Sequence, residues 1–265
     1  MMAEKSVFEQ ELLLLRIERR RLLAQKPLMA GLTDKVRQKA AGLADSISRA
    51  FTEGLAYFLD EDGTALIEKA LPVEKLLEEY QQKEAAICER PSFAALAALD
   101  RTAFHSRAGN LTATALEGAG LGLLGIGLPD IPLFLGVLLK TVRETALRYG
   151  YRCDGPWEQS YLLRVVCGSL TAGEAGKKFW DEADRMAAGL DQRSGDPVVA
   201  DLEEMTAETA KQLSAALLAA KFVQGIAVIG AAGGAFNVMV LRRAEKGAAL
   251  MYKARRLEKL RWELA

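Results

Sequence analysis

Apolar side chains recur at steps of three and four residues along most of this chain, which is the spacing of one face of an α-helix. The clearest case lies between Pro72 and Pro91, two prolines that suit the start and the end of a helix. No long stretch alternates apolar and polar residues as a half-buried strand does. The pattern predicts an all-α fold, a compact multi-helix bundle. Further helices are expected over residues 5–25, 28–59, 93–128, 131–149, 157–170, 174–190 and 197–220.

The breaks between these helices are short and rich in turn formers. They fall at Asp60–Thr64, Arg152–Pro156 and Gln192–Asp196, and none is long enough to separate independent domains. We therefore expect an N-terminal helical arm over residues 1–26 and one all-α domain over residues 27–265.

Two glycine-rich apolar segments interrupt the amphipathic pattern. The first, Gly118–Lys140, contains a single acid, Asp130, between two prolines. The second, Phe222–Leu241, has 20 residues without a charge, which is about the length that crosses a hydrocarbon core of roughly 30 Å. Its glycines and alanines make it only weakly hydrophobic, so three alternatives stay open. The segment spans a membrane, inserts shallowly at its surface, or packs closely in a soluble core.

Composition narrows the class of protein. Half of the residues are hydrophobic, and 35 basic residues balance 35 acidic ones, which argues against a protein that coats nucleic acid. The spacing of Cys88, Cys153 and Cys167 fits neither a disulfide framework nor a metal site, and it indicates reduced thiols of a cytoplasmic protein. At the N-terminus, acids precede a short apolar run and bases follow it, the reverse of a secretory signal.

Signatures of catalysis and of cofactor binding are weak. Gly120, Gly122 and Gly125 fit the dinucleotide fingerprint, but a helical stretch precedes them where a strand is required. His105 is the only histidine, which excludes a histidine-rich metal centre. We predict no catalytic residue, no cofactor and no metal site, and an enzyme is the least favoured of the functions considered.

Asp130 is the strongest candidate for a ligand or partner site. In one interpretation it caps the helix that follows. In the other it is a carboxylate in apolar surroundings that pairs with a base such as Arg143 or Lys221, or that binds a cation or a ligand, because a buried acid needs a partner. Asn237 and Tyr149 are further candidates, although Asn237 also suits a helix–helix hydrogen bond and Tyr149 precedes a glycine that suits a helix end.

Basic residues concentrate near the C-terminus. Residues 242–263 hold eight bases against three acids, arranged around an apolar stripe. A basic amphipathic helix can lie on anionic lipid, or it can dock on the protein with a solvated basic face. In the first interpretation, the membrane-surface residues are Arg242, Arg243, Arg255 and Arg256.

Two blocks of the sequence together resemble the EcsC protein family. One is the glycine-rich stretch leading into Gly127–Pro132, followed by a helix and Tyr149–Tyr151. The other runs from Lys221 through Asn237 to Leu257. The resemblance covers about residues 30–260. The chain departs from the family after Lys221, where the family more often has an isoleucine–proline step.

The resemblance implies a bacterial accessory protein, cytoplasmic and peripheral to the inner face of the cell membrane. The family takes its name from a protein encoded beside an ABC transporter, and it has no agreed catalytic site to carry over. The expected partners are membrane lipid or a membrane protein such as an ABC transporter, and not nucleic acid. The alternative function is a soluble helical carrier that binds a hydrophobic ligand or lipid in an apolar pocket under the glycine-rich segments.

Overall fold

A computed structural model describes residues 2–25, 41–100, 130–191, 201–223 and 231–264. The side chains of residues 2–6, 41–43, 130, 220–223 and 231–237 lie outside that description. The described residues are helical and contain no strand, so the predicted all-α fold is confirmed. In chain order the helices are α1 (Met2–Leu23), α2 (Ala41–Leu59), α3 (Glu61–Lys69), α4 (Val73–Glu89), α5 (described over 93–100), α6 (Asp130–Arg148), α7 (Gly155–Leu170), α8 (Gly173–Leu190), α9 (Leu202–Val223) and α10 (Ala231–Glu263).

One predicted turn is a helix start instead. Asp60–Thr64 was expected to be a break, yet α3 begins at Glu61. The Asp60 carboxylate caps this helix, since its Oδ1 accepts hydrogen bonds from the amides of Asp62 at 2.9 Å and Gly63 at 3.4 Å. Aspartate favours turns and N-caps alike, so composition alone does not separate the two. The predicted break at Gln192–Asp196 lies outside the described residues, as do 26–40, 101–129 and 197–200.

The last helix, α10, lies at the centre of the fold. It packs mainly against α6, α7 and α1, and to a smaller extent against α8 and α9. Ala244, Ala248, Tyr252 and Leu257 on this helix have no exposed surface. Small residues let its backbone approach a neighbour closely, because a Cβ atom at Gly247 would lie 2.0 Å from the Ser169 hydroxyl oxygen of α7.

The N-terminal helix α1 belongs to the same core. Phe8, Leu12 and Leu22 are buried in it, as helical spacing predicts for one face of the helix. Ion pairs join Lys253 of α10 to Glu11 at 2.5 Å and Lys246 to Glu18 at 3.4 Å. The order of these two pairs shows that α1 and α10 run antiparallel.

Among the helices that the structure describes, none combines the length and the hydropathy needed to cross a bilayer. Residues 224–230 of the second glycine-rich segment lie outside the described part, and only the two ends of that segment are seen, in α9 and α10.

Candidate functional site

Two of the five ligand candidates are described with their side chains. Arg143 and Tyr149 are buried, on α6 and directly after it. Asp130 is the first residue of α6, Lys221 lies near the end of α9 and Asn237 lies near the start of α10. The side chains of these last three lie outside the described residues, so the capping role of Asp130 stays a prediction.

The predicted pairing of Asp130 with Arg143 is wrong. Both residues belong to the continuous helix α6 and are 13 positions apart, which corresponds to about 20 Å along a helix axis at 1.5 Å per residue. No pair of side chains closes that separation. Arg143 instead donates a hydrogen bond from Nη2 to the Thr64 hydroxyl at 3.1 Å.

The segment Tyr149–Tyr151 forms the helix end that the sequence predicts. Gly150 has a φ of +79°, in the left-handed region that favours glycine. Its amide donates to the carbonyl of Leu147 at 2.9 Å, and the Tyr151 amide donates to the carbonyl of Ala146 at 3.0 Å. These two bonds form a Schellman motif, which ends α6 and turns the chain toward α7.

Arg256 of α10 completes this helix end. Its Nε donates to the carbonyl of Tyr149 at 2.9 Å, and its Nη2 donates to the carbonyl of Gly150 at 3.0 Å. The guanidinium stacks on the rings of Tyr80 and Tyr151, with distances of 4.7 and 4.3 Å to their centroids. A cation at the C-terminal end of α6 also matches the direction of the helix dipole.

The neighbouring Arg255 is held by two carboxylates and two aromatic rings. It binds Glu158 through both terminal nitrogens at 2.7 and 2.8 Å, and it binds Asp191 at 2.9 to 3.2 Å. Its guanidinium lies 4.0 Å from the ring centroid of Tyr151 and 4.7 Å from that of Tyr161. Burial alone would lower the pKa of Arg255, but the hydrogen bonds to Glu158 and Asp191 outweigh it and raise the pKa.

We call these groups the arginine–tyrosine cluster, and its members are Tyr80, Tyr151, Glu158, Tyr161, Asp191, Arg255 and Arg256. Its chemistry is that of a fixed ion-pair network. Burial raises the pKa of Tyr80 and of Tyr161 far above the usual value for tyrosine, so both phenols stay protonated. The carboxylates already accept charge-assisted hydrogen bonds from Arg255. The cluster therefore fastens α10 to the helices around it.

The described thiols are protonated as well. Burial raises the pKa of Cys153 to about 11 and that of Cys167 to about 12, and it also raises the pKa of the exposed Cys88. A reactive cysteine needs a lowered pKa, so none of the three resembles a catalytic nucleophile. His105 lies outside the described residues, and among those described no group of three or more His, Cys, Asp or Glu could hold a metal ion.

The four arginines expected at a membrane surface do not lie on one surface. Arg242 is exposed, but Arg243, Arg255 and Arg256 are 8%, 3% and 5% exposed. The expectation assumed that α10 lies at the edge of the fold. Because other helices surround α10, the guanidinium groups of Arg255 and Arg256 contact acidic and aromatic partners from distant parts of the chain.

A different helix exposes apolar and basic residues together. On α1, Leu13, Leu14 and Ile17 are 55%, 53% and 38% exposed. Arg16 and Arg20 lie on the same outward side, and neither has an ion-pair partner among the described residues. We call these five residues the outer face of α1. This face was not predicted from the sequence, although a run of four consecutive leucines is wider than one buried helix stripe requires.

Charged residues line much of two clefts on the described surface. One, on α8, is lined by Glu174, Lys177, Lys178, Asp181, Asp184 and Arg185. The other is narrow, with a cavity volume of about 10 Å³, and lies where α3, α4 and α6 meet the start of α7, with Arg143 and Cys153 in its lining.

A comparison with known protein families places most of this chain in one of them. Residues 10–257 match the EcsC protein family. The match begins inside α1, earlier than the residue 30 at which the resemblance was expected to start. No curated protein and no solved structure matches the chain. Because the family match covers far more than half of the 265 residues, the chain belongs to the EcsC protein family.

Proposed function

We propose that this protein is a non-enzymatic accessory protein of the cell membrane, and that it acts by contact with anionic lipid at the inner face. The observation that supports this proposal is the outer face of α1. It presents three large apolar side chains beside two arginines without described ion-pair partners. Exposed apolar residues flanked by cations are typical of helices that lie in a membrane interface.

The energy of such a contact is modest. Complete burial of one leucine or isoleucine side chain contributes roughly 1.5–3 kcal/mol. The three residues are about half exposed, so their insertion would contribute on the order of 3 kcal/mol in total. Each arginine near an anionic surface adds about 1 kcal/mol, and salt weakens this part. The binding should therefore be reversible and sensitive to both lipid charge and ionic strength.

A vesicle flotation assay tests the proposal. The parent protein should float with vesicles that contain phosphatidylserine and should remain unbound with pure phosphatidylcholine. Leu13→Glu with Ile17→Glu should abolish flotation, because two carboxylates would have to enter the interface. The control is Leu66→Glu on α3, which places one carboxylate at an apolar residue that is 53% exposed away from α1, and it should float like the parent.

Two results would contradict the proposal. One is a Leu13→Glu, Ile17→Glu variant that floats as well as the parent. The other is a parent that binds neither kind of vesicle. If cellular membranes nevertheless retain the parent, and protease treatment of those membranes abolishes the retention, the partner is a membrane protein such as an ABC transporter.

Washing of isolated cell membranes distinguishes electrostatic docking from insertion into the bilayer. Release by high salt would agree with electrostatic docking at the inner face, whereas resistance to carbonate would indicate insertion, for which residues 222–241 are the candidate. The alternative function, a carrier with an apolar pocket, stays a prediction because that pocket was expected under glycine-rich segments whose side chains lie largely outside the description.

A further inference from the structure

Three cations lie together where the end of α1 packs against α10. The Glu18 carboxylate of α1 joins two of them, since it accepts a hydrogen bond from Arg21 at 2.5 Å and lies 3.4 Å from Nζ of Lys246. Arg242 precedes Lys246 by four residues on α10, so it lies one helix turn away on the same side of that helix. We call Arg21, Arg242 and Lys246 the basic seam.

The basic seam carries more positive charge than the neighbouring acid balances. The hydrogen bond from Arg21 lowers the pKa of Glu18, so this carboxylate is ionised at neutral pH. Arg242 has no ion-pair partner among the described residues. Three cations and one carboxylate therefore leave an excess of two positive charges at this point of the surface.

Solvent reaches all three cations. The side chains of Arg21 and Lys246 are 69% and 43% exposed, and Arg242 is exposed as well. Lys253 of the same helix differs, because its side chain is 4% exposed and binds two carboxylates. A guanidinium group has five hydrogen-bond donors and an ammonium group has three, so the seam retains donors for an anion from outside.

The basic seam continues the outer face of α1. Leu14, Ile17 and Arg21 follow one another at steps of three and four residues, which places them on one side of α1. On α10, Met239 is 38% exposed and lies three residues before Arg242. Insertion of the apolar side chains into a bilayer would therefore bring the seam to the level of the lipid headgroups.

The excess charge matches one kind of headgroup best. A phosphomonoester carries about −1.5 to −2 charges at neutral pH, whereas a phosphodiester carries a single one. Its oxygens accept charge-assisted hydrogen bonds from arginine and lysine. We propose that the basic seam binds the phosphomonoester headgroup of a lipid such as phosphatidic acid. This inference rests on the proposed function, since a lipid headgroup meets the seam when α1 lies on a membrane.

The test compares two kinds of phosphatidylcholine vesicles, one with phosphatidic acid and one with phosphatidylserine, adjusted to the same zeta potential. The full chain should bind the vesicles with phosphatidic acid about fivefold more tightly. Arg242→Gln should remove most of this preference, because one of the three cations is lost. Its side chain is exposed, so we expect the variant to fold like the parent.

The control is Arg90→Gln, which removes the same charge from an exposed residue at the end of α4. The contact of α4 with Arg256 lies 14 positions from Arg242 along α10, which corresponds to about 20 Å. Arg90→Gln should therefore keep the preference of the parent for phosphatidic acid. Lys246→Gln should reduce that preference as Arg242→Gln does, although it removes a different cation of the seam.

The inference is overturned if the parent binds both kinds of vesicles with the same affinity. It is also overturned if Arg242→Gln and Lys246→Gln both keep the preference for phosphatidic acid. In either case the proposed function stands as long as Leu13→Glu with Ile17→Glu abolishes binding. A parent that binds neither kind of vesicle would overturn the proposed function and this inference together.

Discussion

Gly150 satisfies two separate requirements at one position. Its φ of +79° ends α6, and its missing side chain leaves room for the groups that cover the helix end. A Cβ atom here would lie 2.4 Å from a ring carbon of Tyr80 and 2.8 Å from Nη2 of Arg256. The backbone conformation and the arginine–tyrosine cluster therefore depend on the same residue.

The two requirements can be separated by substituting two glycines. Gly155 has a similar φ of +77°, but open space surrounds the position of its Cβ atom. Gly155→Ala should therefore lower the free energy of unfolding by only about 1 kcal/mol, the strain of the left-handed region. Gly150→Ala adds overpacking and should cost about 2–4 kcal/mol in urea unfolding. Equal losses in the two variants would show that the cluster relaxes around an added methyl group at no cost.

The packing of one helix against another also depends on single residues. At the crossing of α10 and α7, a Cβ atom on Gly247 would lie 2.6 Å from Cβ of Ser169 and 3.0 Å from its Cα. The Ser169 hydroxyl donates to the carbonyl of Val165 at 2.6 Å, so its side chain is fixed in that position. This crossing leaves no room for an added methyl group unless the two helices move apart.

A double-mutant cycle tests this contact between the two helices. Gly247→Ala should lower the free energy of unfolding by about 1–3 kcal/mol, since the helices must separate. Ser169→Gly removes the atoms that the new methyl group meets, and it should recover part of that loss when the two changes are combined. Strictly additive losses, measured by chemical denaturation, would place the strain of Gly247→Ala somewhere other than Ser169.

The elements differ in how far the sequence predicts them. The helix Val73–Glu89 lies between two prolines and has regular apolar spacing, and the structure confirms it within the expected boundaries. The helix Glu61–Lys69 was missed because its nine residues follow Asp60 and begin with Glu61 and Asp62, three acids that also suit a turn. A short helix carries too few apolar residues for its spacing to outweigh that signal.

The molecule as a whole is organised around buried charge, which a single sequence does not reveal. Arg255 and Arg256 are adjacent to other basic residues and therefore resemble a solvated face. Their partners are Glu84, Glu158 and Asp191, which are 64 to 172 positions away along the chain. The spacing of residues along the chain contains no information on such distant pairs. The helix could therefore be predicted from the sequence, but the environment of its arginines was predicted wrongly.

This organisation predicts that substitutions of two arginines of the same helix change the free energy of unfolding by very different amounts. Arg255→Gln leaves Asp191, whose side chain is 3% exposed, without its guanidinium partner and should lower the free energy of unfolding by about 3–5 kcal/mol. Arg242 is exposed on the same helix, and Arg242→Gln should change that free energy by less than about 0.5 kcal/mol.

Since Arg255 joins residues of α7, α10 and the end of α8, the loss of its side chain should shift the whole unfolding transition. Far-ultraviolet circular dichroism and tyrosine fluorescence should therefore report one common midpoint for Arg255→Gln. Two separate midpoints would mean that the cluster stabilises only its own surroundings, and that α10 does not couple the helices into one cooperative unit.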